Sequence, residues 1–273
     1  MSTYQSASPR RLHRRLLWGC GLVACALLAC SLLAGLARHW TNIHALERRL
    51  QVTPQVTGGM TTVTNVAWYG NGIGWLPRFY PNAILYFDLE LHNQDAQSLE
   101  LVSTEAIAFD TWGRTVSGGI HQYGPPAPNL RVLLYPDETR PVRAGGLRLP
   151  LPLTWQRVEL RITLKPAEPD ALQNVTRWYD FTVESERTDP DGSYHLVGHT
   201  EQAERRNGGD EGFPKAIVSF YNAQGEFVKG GEWFLSGGDK LDIDFEPGEL
   251  PRGPVTRAHV FYIEAYGPPI EWP

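Results

Sequence analysis

Asp239, Asp242, Asp244 and Glu246 place four carboxylates in one short stretch, "DKLDIDFE". Hard oxygen donors at that density are what a calcium ion with six to eight ligands requires. Along a strand, however, Asp242 and Asp244 stand about 6.6 Å apart on one side, which is also the pattern of a solvated strand face. The solvated face is the reading adopted, with these four acids as the calcium candidates. His195 and His199 in "YHLVGHTE" would share a metal on a helix, but on a strand they lie about 13 Å apart, so they read as polar-face histidines. "DPDG" at Asp189 to Gly192 lacks the rest of a calcium loop and reads as a turn. No Gly-x-Ser-x-Gly, phosphate-cradling Gly-Lys-Ser/Thr or His-Glu-x-x-His occurs, and no acid pair stands out for glycoside hydrolysis. No catalytic, cofactor or resident metal residue is assigned.

The three cysteines, Cys20, Cys25 and Cys30, all lie in "LLWGCGLVACALLACSLLAGLA", residues 16–37. Spaced five apart, they rotate by about 500° per step and cannot converge on one metal. Small apolar residues of a helix are the plain alternative. Twenty-two uncharged residues at about 1.5 Å each reach about 33 Å, enough for a hydrocarbon core of about 30 Å. Arg10, Arg11, Arg14 and Arg15 precede the run with no acid among them, which keeps the amino end cytoplasmic and places the rest outside. A cleaved signal peptide competes, but its apolar core runs only about 7–15 residues. "LVAC" and "LLAC" also resemble a lipobox, which makes Cys25 and Cys30 lipidation candidates. The favoured expectation is an uncleaved transmembrane signal anchor over 16–37 behind a basic segment, 1–15.

A third cluster is aromatic. "AWYGNGIGWLPRFYP" gathers Trp68, Tyr69, Trp75, Phe79 and Tyr80 among glycines and prolines. Flat rings on loop backbone suit stacking on sugars, a membrane interface or a partner protein. Core packing of Trp68 and Phe79 is the competing reading. These five residues are the partner-binding candidates.

What positions them is all-β. "NAILYFDLELHN" sets Leu85, Phe87, Leu89 and Leu91 against Tyr86, Asp88, Glu90 and His92, the period-two signature of a half-buried strand. In "WQRVELRITLK", Val158, Leu160, Ile162 and Leu164 point inward and Arg157, Glu159, Arg161 and Thr163 outward; in "KLDIDFE", Leu241, Ile243 and Phe245 oppose Asp242 and Asp244. Further strands with turn clusters between them imply antiparallel sandwiches. The chain also matches itself. "TEAIAFDTWGRTVSGG" aligns with "KAIVSFYNAQGEFVKGG" at Gly113 and Gly225, and "WQRVELRITLK" with "VTRAHVFYIEAY". The expectation is a juxtamembrane helix or stalk over 38–57, a sandwich over 58–165, a linker over 166–176 and a second sandwich over 177–273.

"AIVSFYNAQGEFV", followed by a "GD" turn and a closing aromatic strand, resembles the FxLyD family of immunoglobulin-like sandwiches from bacterial and archaeal envelopes. The resemblance covers mainly residues 193–266 and more faintly 84–164. It implies an extracytoplasmic, tethered module of two tandem immunoglobulin-like sandwiches, with no catalytic residue. No acid occurs in residues 1–37, which hold four of the 25 Lys and Arg, so residues 38–273 carry 30 acids against 21 bases, a net of −9 with His neutral. That charge excludes nucleic acid as a partner. The sequence therefore points to a non-catalytic binding or assembly protein of a prokaryotic envelope, in the cell membrane, with an envelope protein or glycan as partner. A membrane-anchored enzyme of polysaccharide or peptidoglycan is the alternative.

Overall fold

Alternating apolar residues become buried sheet faces throughout the computed structural model, which describes residues 25, 27–33, 50–71, 84–115, 120–121, 131–148, 155–201, 213–245 and 253–267. The chain divides into two units, 1–48 and 49–273. In the first, Cys25 and residues 27–33 are helical, and Ser31 Oγ donates to the Leu27 carbonyl at 2.8 Å. Among the described residues no helix is long and apolar enough to cross a membrane; the rest of the 16–37 segment lies outside them.

The second unit is predominantly β. Its first half holds β1 (Gln51–Thr57), β2 (Thr61–Asn71), β3 (Ile84–Asn93), β4 (Leu99–Asp110), β5 (Ile120–His121), β6 (Leu133–Leu134), β7 (Thr139–Arg148) and β8 (Trp155–Pro166). They form two sheets, ordered β1-β8-β4-β6 and β2-β3-β7-β5. Leu85, Phe87, Leu89 and Leu91 of β3, Ala106 and Ala108 of β4, and Val158, Leu160, Ile162 and Leu164 of β8 are all buried, as their spacing predicts. Arg157 and Arg161 lie on the outer face, paired with Glu159.

The second half holds β9 (Val175–Trp178), β10 (Thr182–Thr188), β11 (Tyr194–His199), β12 (Lys215–Tyr221), β13 (Phe227–Phe234), β14 (Lys240–Phe245) and β15 (Arg257–Tyr266). Its sheets run β9-β15-β12-β13 and β10-β11-β14. Tyr194, Leu196, Val218, Phe220, Leu241 and Ile243 form their shared core. Each sheet draws its strands from one half, and the second half restates the order of the first. β9, β15 and β12 stand where β1, β8 and β4 stand, and β10, β11 and β14 where β2, β3 and β7 stand.

The repeat is sharpest in one turn. Asp110 and Asn222 each accept two backbone N–H groups on their side-chain oxygen, from Trp112 and Arg114 and from Gln224 and Glu226. Gly113 (φ 74°) and Gly225 (φ 77°) supply the left-handed residue of that turn, a conformation a Cβ disfavours. Burial acts to raise the Asp110 pKa, but hydrogen bonds from the Arg114 backbone and side chain hold it below its ordinary value.

Two segments differ from expectation. Residues 51–57, placed with the stalk by sequence, are β1, paired with β8 over its whole length. The 166–176 linker contains a helical turn at Pro169–Gln173 and the start of β9 at Val175. Alternation also misjudges one face of β3, because Asp88 and Glu90 are buried instead of solvated. β13 packs across β2, β3 and β7 and covers them.

Truncating Phe87 to Ala should lower unfolding free energy by about 3–5 kcal/mol through transfer loss and cavity formation. Arg161→Ala on the outer face should change it by less than about 0.5 kcal/mol. Denaturant melts of both variants measure the contrast.

Candidate functional site

Among the described residues, those singled out by spacing do not assemble into one site. Asp242 and Asp244 are exposed along β14, as "KLDIDF" predicts, and Asp239 spends its backbone carbonyl on the Thr200 amide at 3.0 Å. Asp244 is hydrogen-bonded to His195 Nδ1, whose Nε2 lies 3.1 Å from Asp189 Oδ2. His199 Nδ1 lies 2.9 Å from Glu184. Glu246 lies outside the described residues. Among the described residues no group of three or more His, Cys, Asp or Glu is arranged to hold a metal ion.

The aromatic cluster divides. Trp75, Phe79 and Tyr80 lie outside the described residues, and Trp68 is half-buried. Tyr69 is buried, which corrects its reading as a ring presented to a partner. It joins the hydrophobic cluster of the second half. Its hydroxyl accepts from Arg143 Nη2 at 2.6 Å, its ring meets Tyr86 at 5.6 Å, and Lys229 Nζ sits 4.8 Å from the ring centre. β13 covers this end of β2, so a side chain that sequence assigns to a loop becomes core. Cys25 and Cys30 are exposed on the N-terminal helix; Cys20 lies outside the described residues.

The densest chemistry is a cluster that alternation alone does not reveal. Glu264 of β15, fully buried, accepts a bidentate pair from Arg140 of β7, at 2.8 Å and 3.0 Å. Arg177 of β9 donates to it as well, at 2.8 Å from Nε, and so does the Tyr266 hydroxyl. Arg140 continues to Glu232 at 2.7 Å and to the Leu133 carbonyl at 3.0 Å. Arg177 reaches Glu138 at 2.8 Å and the same carbonyl at 2.9 Å. Its guanidinium lies about equally close to the rings of Tyr135 (4.1 Å) and Tyr262 (4.2 Å), an arrangement that suits a planar, weakly hydrated cation. Lys215 completes the group through Glu232.

Three further contacts join the halves nearby. Asp88 accepts from Arg143 and, at 3.2 Å, from the Gly230 amide. Glu90 accepts from Tyr221 at 2.6 Å and is hydrogen-bonded to Asn65. A Cβ on Gly230 would lie 2.6 Å from Pro141 Cβ, so only glycine lets β13 approach β7 this closely.

Electrostatics follow from burial. Burial acts to raise the Glu264 pKa, but Arg140 and Arg177 outweigh it and hold the carboxyl below its ordinary 4.5. Both arginines are held firmly protonated against burial, with Glu264 the largest favourable cause. Asp88 shows the opposite balance: burial pushes its pKa above the ordinary 3.8 in spite of Arg143. Burial likewise keeps the Tyr262 and Tyr266 hydroxyls protonated. Arg140 occupies both carboxylate oxygens of Glu264, leaving the cluster suited to fixing two surfaces in register, not to proton transfer.

Asp88 and Glu90 were missed because alternation cannot tell a solvated face from one covered by distant chain. Glu264 did carry a signal, as the acid inside the apolar run "VFYIEAY". No protein-family model matches the chain, and no curated protein matches it in sequence.

Arg140→Met should destabilise the β unit by about 3–5 kcal/mol, because it leaves Glu264 short of charge compensation in a buried site, while Arg140→Met/Glu264→Met should recover much of that loss. The pH dependence has a defined sign. With its folded pKa depressed, Glu264 contributes stability above its ordinary 4.5 and loses it as pH falls through the folded value. Asp88, with its pKa raised, contributes in the opposite sense, fully below 3.8 and less as pH rises through the folded value. Chemical melts from pH 7 to pH 3 should show a flatter acid limb for Glu264→Gln than for the native chain.

Proposed function

We propose that the chain is a single-pass, membrane-tethered protein of a prokaryotic envelope, with its amino end cytoplasmic and its β unit extracytoplasmic, working by binding or assembly and not by catalysis. One observation carries this reading. The described turns of the 16–37 segment are helical and apolar but for Ser31, whose hydroxyl is spent on the Leu27 carbonyl, with Leu27, Leu28 and Leu33 each more than 60% exposed and Cys25, Cys30 and Leu32 also exposed. A helix with no charged or free polar side chain on any described face is stable only where something other than water surrounds it. This helix also belongs to a unit separate from the β body, as a membrane tether requires.

The β unit supports the binding half of the proposal. Its twice-stated strand order and shared Asx turn suit tandem immunoglobulin-like sandwiches of the FxLyD kind, a repeated scaffold presenting surfaces and loops. Its exposed large side chains, Trp112 at a turn and Tyr179 and Phe234 at strand ends, are of the type that anchors protein or glycan contacts. An envelope protein or glycan is the partner this surface suits.

In native membranes the full chain should resist carbonate extraction and keep its residues 1–15. Protease added to spheroplasts should digest the β unit and spare the amino end. Cys25→Ser and Cys30→Ser should leave both results unchanged. Lipid label lost on Cys30→Ser would replace the helical anchor with an acyl one, and a mature chain beginning after Ala37 would replace it with secretion.

A further inference from the structure

The two halves repeat one strand order but close it differently. β1 runs parallel to β8, in unbroken register from Gln51↔Arg157 to Thr57↔Thr163. β9, in the equivalent place, runs antiparallel to β15 and pairs only from Val175↔Tyr266 to Trp178↔Ile263. Among the described residues β1 is an edge strand with β8 as its one hydrogen-bonded neighbour. Every connection of β1 to its sheet therefore runs through that pairing, supported by the half-buried Val52, Pro54 and Val56.

We propose that the β1–β8 pair is a shear clamp that lets the first half carry tension between the tether and whatever grips the second half. The proposal relies on the tethered reading for the source of the load only. The compact unit starts at Arg49 and β1 at Gln51, so a pull from the amino side enters β1 at its first residue. Along the chain the load leaves the first half at Pro166, the far end of β8, which leads through the short helix to β9. In parallel strands these two points lie at opposite ends of the ladder. The pull slides one strand along the other, and all seven paired positions resist at once. Antiparallel pairing would bring entry and exit to one end, where pairs break one after another at low force.

The second half shows that alternative. Val175, where β9 begins, faces Tyr266, where β15 ends, and Gly267 donates to the Asn174 carbonyl beside them at 2.8 Å. Tension on residues 174 and 267 peels the pair from that end. Glu264, two residues inside, is bolted to Arg177 of β9 and to Arg140 of the first half, so the ionic cluster guards the end that peels.

Optical tweezers test the clamp on the full chain in detergent micelles, with Cys20→Ala, Cys25→Ala and Cys30→Ala as background. Handles on Gln51→Cys and Pro166→Cys load β1–β8 in shear, and handles on Thr57→Cys and Pro166→Cys load it by peeling. At one loading rate the shear pair should unfold at no less than about twice the force of the peeling pair, since forced unfolding reads the barrier along the pulled direction. Matching thermal melts for the two variants exclude damage by the substitutions themselves. Equal forces, or a lower force in shear, would overturn the clamp. A wrong tether assignment would show in the protease and extraction results and leave these forces unchanged.

Discussion

A carboxylate cannot be ionised in the interior without cations beside it, and Glu264 imposes that condition on the whole β unit. Its place in β15 is set by the apolar residues around it, Tyr262, Ile263, Ala265 and Tyr266, all buried. Arg177 comes from the neighbouring strand β9, opposite Glu264 in register. Arg140 comes from the other half of the chain, on β7 opposite Leu91 of β3. The bidentate pair forms only when those two strands stand in one relation, so a local desolvation problem fixes a long-range geometry. Buried ion pairs add little net stability over a well-packed apolar substitute, while breaking one is costly. Such a cluster specifies an arrangement more than it strengthens one.

The rest of the junction obeys the same demand. β13 crosses close enough for the Gly230 amide to reach Asp88, and the approach leaves no room for a Cβ. Tyr221 and Asn65 satisfy Glu90, and Arg143 divides its guanidinium between Asp88 and Tyr69. Every acid that β3 turns away from its own core thus acquires a donor from elsewhere, as buried carboxylates must. Polar residues placed as though for solvent serve as the adhesive between halves.

This explains what could be read in advance. Strands with one wet face, such as Arg157–Lys165 and Lys240–Phe245, declare themselves by alternation, because water and core select opposite residue types. The repeat was legible through Asp110/Asn222 and Gly113/Gly225, since a turn needing a left-handed residue tolerates few alternatives. β1 was hidden in the segment assigned to the stalk, because "QVTPQVT" alternates only small apolar residues with polar ones and holds Pro54, which is tolerated on an edge strand. The ionic cluster was hidden for a deeper reason. Arg140, Arg177 and Glu264 owe their shared burial to partners far along the chain, and no local period encodes that.

The outer edges complete the logic. β10 is exposed along its whole length as an edge of its sheet, and a bare edge invites pairing with another chain. Here the edge carries Glu184, Glu186 and Arg187, with a register shift between Val183 and Ser185. The Glu186 carboxylate is turned to the Tyr194 hydroxyl and the Ala258 amide, at 2.9 Å and 2.6 Å. Charge and irregularity discourage a continuous ladder there. β1 carries no charge and depends on Pro54 and on its pairing with β8 instead. The two halves share a strand order but protect their edges by different means. The first half keeps its edge strand long, regular and parallel to β8, whereas the second has the shorter closing strand and the charged, bulged edge.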